Sequence, residues 1–267
     1  MNFEPAAPEN KNWFKGISQT AAFFLAYFIF ATIGIAVSVM CAVAALLFHG
    51  VGARRFGQEF IRGLFVFFVG YLRACGLMEL DAKELSVLRG SRGLVVIANH
   101  PSLLDAVLLI SQLPRAVCLM KGSLARNIVL SGTARLAGYI RNESGPGLIR
   151  KCEERLKEGA NLLVFPEGTR TVNGTLHPFK MGFALIATMS GAPVQTVIIT
   201  AESNYLGKGR PLFKKPALPV RYSFRLGKRF QPTPEMDAKH FGGLVENYFL
   251  ETLSPSAPHL LRTVEKS

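Results

Sequence analysis

Residues 21–48 hold no charged side chain and no histidine, a run of 28 residues that reads AAFFLAYFIFATIGIAVSVMCAVAALLF. A helix of about 20 apolar residues crosses the hydrocarbon core of a bilayer. This run is long enough to cross with tilt, or to bend near Gly34 into a shallower path. A buried helix of a soluble core rarely stays fully apolar for that length. A cleaved signal segment is the competing reading, but the run is long for one and begins only at residue 21. A second apolar stretch, residues 60–72, leaves ten uncharged positions between Arg62 and Arg73. That is too few to span alone and predicts an interfacial or re-entrant helix. Lys11 and Lys15 precede the first run, while Arg54, Arg55, Arg62 and Arg73 follow it. The bias points the C-terminal side toward the cytoplasm.

The 267 residues carry a formal net charge of +13, which fits either a nucleic-acid binder or a protein at an anionic membrane surface. No zinc-finger or other nucleic-acid spacing is present, and the apolar run favours the membrane, so no nucleic-acid partner is expected. Residues 205–230 hold eight Lys and Arg and no acid. Near an anionic leaflet each contributes about 1 kcal/mol, although some could instead attract the phosphates of coenzyme A or an acidic carrier protein. The four cysteines, Cys41, Cys75, Cys118 and Cys152, are widely spaced. Free thiols and no metal site are expected.

From about residue 80 the pattern becomes α/β. Short β-branched or apolar runs at 93–98, 116–120, 161–165 and 193–200 predict strands, with 220–224 a fifth. Helices are expected at 103–113 with Ser102 as N-cap, and at 149–158, 183–189 and 237–253. The expected organisation is a membrane anchor and interfacial helix over 1–79, a catalytic α/β domain over 80–253 and a tail over 254–267.

Two constellations carry chemistry. His100 leaves the end of the first strand, Pro101 bends the chain, and Asp105 lies one turn into the next helix. A carboxylate there can hold one imidazole nitrogen and leave the other to take a proton, which makes a general base with its orienter. Ser102 reads as a cap or hydrogen-bond donor. The second constellation is Phe165-Pro166-Glu167-Gly168-Thr169-Arg170, a turn of exposed amides with a hydroxyl and a guanidinium able to meet a phosphate.

Residues 99–105 (NHPSLLD) and 165–170 (FPEGTR) resemble the first and third signature blocks of the PlsC-like glycerolipid acyltransferases, which include the 1-acylglycerol-3-phosphate acyltransferases. The resemblance covers roughly residues 80–215. It implies an α/β fold with a mixed sheet flanked by helices, preceded by an N-terminal membrane helical element. It implies His100 as base, Asp105 as its partner, and no bound cofactor. Acyl-CoA or an acyl carrier protein thioester would be the co-substrate. The acceptor would be a lysophospholipid, 1-acylglycerol-3-phosphate giving phosphatidate, among membrane phospholipids at a bacterial inner membrane with the catalytic domain on the cytoplasmic side.

The residues expected to hold substrate are Asn99, Ser102, Lys121, Arg141, Glu167, Gly168, Thr169 and Arg170. Arg141, in Gly138-Tyr139-Ile140-Arg141, stands about a residue from the family's usual place. Thr196 replaces a proline common in the family's last block, which weakens assignment to the phosphatidate-forming branch; the alternative is the same chemistry on a different acceptor, such as an ornithine- or glycine-type lipid or a hydroxylated lipid. A membrane protein that binds lipid without turnover is the non-enzymatic alternative.

Overall fold

A computed structural model describes residues 10–122, 127–142, 145–172, 175–233 and 235–254. Two long helices come first, α1 (Asn10–Leu47) and α2 (Val51–Ala74). The expected interfacial stretch at 60–72 is the middle of α2, so the second helix is about twice as long as its uncharged run suggested. Then come β1 (Met78–Asp81), a 3-10 helix (Lys83–Gly90), β2 (Val95–Ala98), α3 (Leu104–Gln112) and β3 (Ala116–Met120). They are followed by α4 (Ser131–Ala137), β4 (Ile140–Arg141), α5 (Pro146–Lys157) and β5 (Asn161–Val164). The chain continues with α6 (Gly182–Ser190), β6 (Val194–Ala201), β7 (Val220–Phe230) and α7 (Ala238–Leu253).

Among the described residues the sheet has seven strands in the order β1-β7-β6-β2-β5-β3-β4. Only β6 and β7 pair antiparallel, so the sheet is mixed, as expected. Alternate residues serve opposite faces. Val96 and Ala98 of β2 join the core under α2 and α3, whereas Val95 and Ile97 join the core under α5, α6 and α7. β2 is wholly buried, which is why it reads as a continuous apolar run rather than an alternating one.

β6, β2, β5, β3 and β4 run parallel, so their C-terminal ends share one edge. Everything that leaves those ends meets there. In order across the edge these are the 202–219 loop, His100, the 165–170 turn, Lys121 and Arg141.

α1 is docked on the domain along most of its length. Gln19 donates to Gly76 O at 3.2 Å, Tyr71 donates to Ala22 O at 2.9 Å, and Ser38 Oγ accepts from Gly132 N at 2.9 Å. Gly132 lets the α4 backbone meet α1 so closely that a Cβ there would overlap the Ser38 carbonyl. The opposite side of α1 stays apolar and exposed, including Phe28 at 65% and Leu47 at 69%. The hydropathy of Gly16–Leu47 meets the length and composition of a membrane helix. The helix hairpin and the domain are therefore packed together, and the α/β sheet begins at Met78, where β1 pairs with Val220 of β7. Apart from Ser254, the expected tail over 254–267 lies outside the described residues.

The basic stretch at 205–230 divides in two. Arg221 pairs with Glu79 at 2.7 Å, and Arg225 pairs with Glu84 at 2.7 Å and Asp81 at 3.5 Å. These acids sit on β1 and the 3-10 helix, outside the stretch, and for that reason the segment looks more cationic in sequence than in space. The hydroxyl of Thr196, fully buried, donates to Lys228 O at 2.8 Å beside an irregularity in the β6–β7 register. Its place is mid-sheet, where the hydroxyl serves a strand junction.

Candidate active site

The site begins with the geometry of β2 and β5. Register pairs Ile97 with Val164, so both chains leave the sheet side by side. His100 and the 165–170 turn then face each other without any long excursion. The His100 ring stacks on Phe165, with centroids 4.1 Å apart and planes at 21°. Its backbone N–H donates to Glu167 Oε1 at 3.1 Å and to Thr171 Oγ1 at 3.3 Å.

His100 Nδ1 lies 2.9 Å from Asp105 Oδ2. The same oxygen accepts from Ser102 N at 2.7 Å. Asp105 is fully buried, and its other oxygen, Oδ1, has no hydrogen-bond partner among the described residues. Burial pushes the Asp105 carboxyl above the ordinary carboxylate range, against the opposing pull of the His100 and Ser102 hydrogen bonds. A carboxylate at Nδ1 fixes the ring so that Nδ1 carries the hydrogen and Nε2 presents a lone pair. Nothing among the described residues hydrogen-bonds Nε2.

His100 also lines a cavity of 460 Å³ whose wall is almost wholly apolar. Tyr27 and Phe30 of α1, Phe65 and Phe68 of α2, and Val107 and Ile110 of α3 form much of it. A second cavity of 610 Å³ lies beyond Phe165, bounded by Pro166, Gly168, Lys180, Arg150 and α6.

The expected substrate-holding residues gather at this edge, but several are already occupied. Asn99 donates to Ile199 O and accepts from Ile199 N, both at 2.8 Å, so its amide ties β2 to β6. Ser102 stands one residue before the N-cap position, Leu103, and its hydroxyl accepts from Leu104 N at 3.3 Å, so it serves the first turn of α3. Its hydroxyl donates to Tyr205 O at 2.9 Å and accepts from Tyr222 OH at 2.9 Å, which fixes the turn behind the imidazole. Glu167 is 3% exposed and accepts from His100 N, Thr171 Oγ1 and His177 N. It knits the two blocks and does not face solvent. Arg170 donates to Leu206 O and Gly207 O at 2.8 Å each, and so clamps the loop after β6. These four side chains share one feature, since a polar side chain in a tight turn readily meets a nearby backbone group.

The remaining four sit where a ligand could reach them. Gly168 has φ +64, and a Cβ there would come within 3.0 Å of Lys180 Cε, so Gly168 permits the lysine to cross the turn. Thr169 is half-buried, and Lys121 is exposed at the end of β3. Arg141 pairs in register with Met120 and is exposed on the neighbouring strand. Lys180 belongs to the stretch after the third block that the family resemblance already included, whereas Thr171, Tyr205 and Tyr222 were given no site role in the sequence reading. Thr171 follows the FPEGTR block closely enough to be sought, whereas Tyr205 and Tyr222 lie more than a hundred residues from Ser102 with no local motif. Among the described residues no group of three or more His, Cys, Asp or Glu could hold a metal ion.

Comparison with known proteins bears on the family and the fold. The Acyltransferase family model matches residues 79–200. The chain is 26% identical over 216 residues to human 1-acyl-sn-glycerol-3-phosphate acyltransferase beta, covering 77% of this chain and 74% of that protein. It is 30% identical over 135 residues to the 1-acyl-sn-glycerol-3-phosphate acyltransferase of Limnanthes alba, 48% of each chain. Its fold matches the crystal structure of the 1-acyl-sn-glycerophosphate acyltransferase PlsC from Thermotoga maritima with a TM-score of 0.67 at 19% identity, over 90% of this chain and 96% of that one. The match over residues 79–200 and the curated relatives strongly support the PlsC-like acyltransferase family, whose fold the chain shares.

Proposed function

We propose that the chain transfers a fatty acyl group from an acyl-CoA or acyl carrier protein thioester to the hydroxyl of a lysophospholipid, with 1-acylglycerol-3-phosphate as acceptor and phosphatidate as product. The observation that carries this reading is the 2.9 Å His100–Asp105 contact in the wall of an apolar cavity. Nε2 of His100 takes the acceptor's hydroxyl proton as its oxygen attacks the thioester carbonyl carbon. The C–S bond then breaks, and the departing thiolate takes the proton back from the imidazolium. No acyl-enzyme forms, since the acceptor itself supplies the nucleophile. Asp105 holds the ring and stabilises the transient imidazolium. The stacked Phe165 and the apolar wall keep bulk water from competing for the thioester.

The acyl chain lies in the 460 Å³ cavity between α1, α2 and α3, with its reactive end at His100. Because α1 and α2 form part of that wall and expose apolar side chains outward, a lipid reaches the cavity from the bilayer. The hairpin's exposed apolar side rests in the membrane while the domain stays at its surface. Lys121, Arg141, Thr169 and Lys180 meet the acceptor's phosphate at the same edge, and the cationic fork of Arg141 is the natural bidentate partner.

Purified protein offered a panel of lysolipids with acyl-CoA and with acyl carrier protein, its products read by mass spectrometry, tests the assignment. Phosphatidate as the main product supports it. Acylation of an amino-acid lipid instead would move the acceptor while keeping the chemistry, and thioester stability with every lipid would leave a binding protein.

A further inference from the structure

The loop between β6 and β7 has two jobs, one on its outer side and one on its inner side. On its outer side Lys208, Arg210, Leu212, Phe213, Lys214 and Lys215 are all exposed, Phe213 at 66% and Leu212 at 48%. Residues 205–219 contain no acid, and α1 beside them contains none either. Among the described residues, no carboxylate pairs with the cations of this loop as Glu79 and Glu84 pair with Arg221 and Arg225. Lys215 Nζ makes one contact, 2.7 Å to Thr20 Oγ1 of α1, and that partner is neutral. Phe213 continues the apolar side of α1, its ring 5.3 Å from Tyr27, and Tyr27 OH donates to Leu212 O.

On its inner side the same loop holds the catalytic turn. Tyr205 O accepts from Ser102 Oγ, and Tyr205 OH lies 2.7 Å from Tyr27 OH. Leu206 O accepts from Leu103 N at 3.2 Å and from Arg170. Leu206 is not a glycine, yet it sits at φ +56, a conformation that side chains with a Cβ rarely adopt. It is kept there by donors from both signature blocks. Strain of this kind persists only where surrounding contacts over-determine it.

We infer that residues 208–215 are a docking surface for an anionic bilayer, and that seating this loop on the membrane holds the Ser102 turn, and through it the His100–Asp105 pair, in its working geometry. A lipid surface is the occupant because exposed aromatic and aliphatic side chains interleaved with unpaired cations match a headgroup boundary, and because the patch extends the apolar side of α1. This rests on the acyltransferase reading for its second half only.

The test uses the full chain with Lys208→Gln, Arg210→Gln, Lys214→Gln and Phe213→Ser together, none of which lines the apolar cavity. Partition is measured by co-sedimentation with vesicles of phosphatidylcholine alone and with half phosphatidylglycerol. The parent should prefer the anionic vesicles, and the variant should lose at least about tenfold of that preference. Its binding to neutral vesicles, set by α1 and α2, should change little. The rate per bound molecule should fall on anionic vesicles yet match the parent in detergent micelles. An unchanged anionic preference overturns the docking surface. A lost preference with an unchanged rate per bound molecule overturns the coupling. The partition arm needs no turnover, so it stands even if the acceptor proves different.

Discussion

Replacing Asp105 by Asn separates what the dyad does for folding from what it does for chemistry. The carboxylate is fully buried, one oxygen serves both Ser102 N and His100 Nδ1, and the other has no partner. An unpartnered buried acceptor costs about 1–3 kcal/mol, and a buried charge more. Asn removes the charge and keeps an acceptor for Ser102, at the loss of one charge-assisted hydrogen bond of about 1.5–3 kcal/mol. These terms offset, so D105N should be within about 1 kcal/mol of the parent or slightly more stable at neutral pH.

The pH dependence follows from the direction of the shift. A folded carboxyl held above its unfolded value stabilises the fold at pH below the unfolded value, and that contribution is lost as pH rises through the folded one. D105N lacks this loss and should gain on the parent across that window. Catalysis moves the other way. Asn keeps its oxygen toward Ser102 N–H and Nδ1–H, but it brings no charge to stabilise the imidazolium that forms in the transition state. A loss of about 10³–10⁴ in rate is expected, about 4–5.5 kcal/mol of transition-state stabilisation. Urea unfolding across pH and thiol release from a defined acyl-CoA give the two halves. A D105N protein that keeps more than about a tenth of the parent rate, or that loses several kcal/mol of stability, refutes the reasoning.

Glu158 joins Arg54 and Arg155, at 2.5 and 2.6 Å, and ties α2 to α5. Burial pushes its carboxyl up, but the Arg54 hydrogen bond and the Arg155 and Arg54 charges bring it below the ordinary value. Its contribution is therefore present above the unfolded carboxylate range and lost as pH falls through the folded value. E158Q should cost about 1–3 kcal/mol at pH 7 and less in acid, read by urea midpoints at both. Gly168→Ala should cost about 1–3 kcal/mol through its φ of +64 and crowding of Lys180, with a larger rise in KM for the lysolipid than fall in kcat. Ile110→Phe narrows the far part of the apolar cavity and should shift preference to shorter acyl donors, seen by competition between chain lengths.

How much of this was legible depends on where the information sat. β2, β3, β5 and β6 were readable because each is a short apolar run closed by a polar or proline break. β1, with the sequence MELD, and β4, with two residues, were not, since neither has length or hydrophobicity enough to stand out. β7 was cut short at Phe224 because its second half, RLGKRF, is polar and partly solvent-facing. His100 and Asp105 were readable because a single local turn joins them. Asn99, Ser102, Glu167 and Arg170 were placed at the right edge, but the protein groups they bond were not legible. Sequence shows which side chains can hydrogen-bond, while most of their partners come from segments more than thirty residues away.

The account rests on imidazole-assisted attack by the acceptor's own hydroxyl. The most direct measurement is the initial rate of His100→Ala with one defined acyl-CoA and 1-acylglycerol-3-phosphate, on protein whose circular dichroism and vesicle binding match the parent. A fall of at least about 10³-fold is predicted. A rate equal to the parent's would contradict the mechanism, whatever the geometry of the pair.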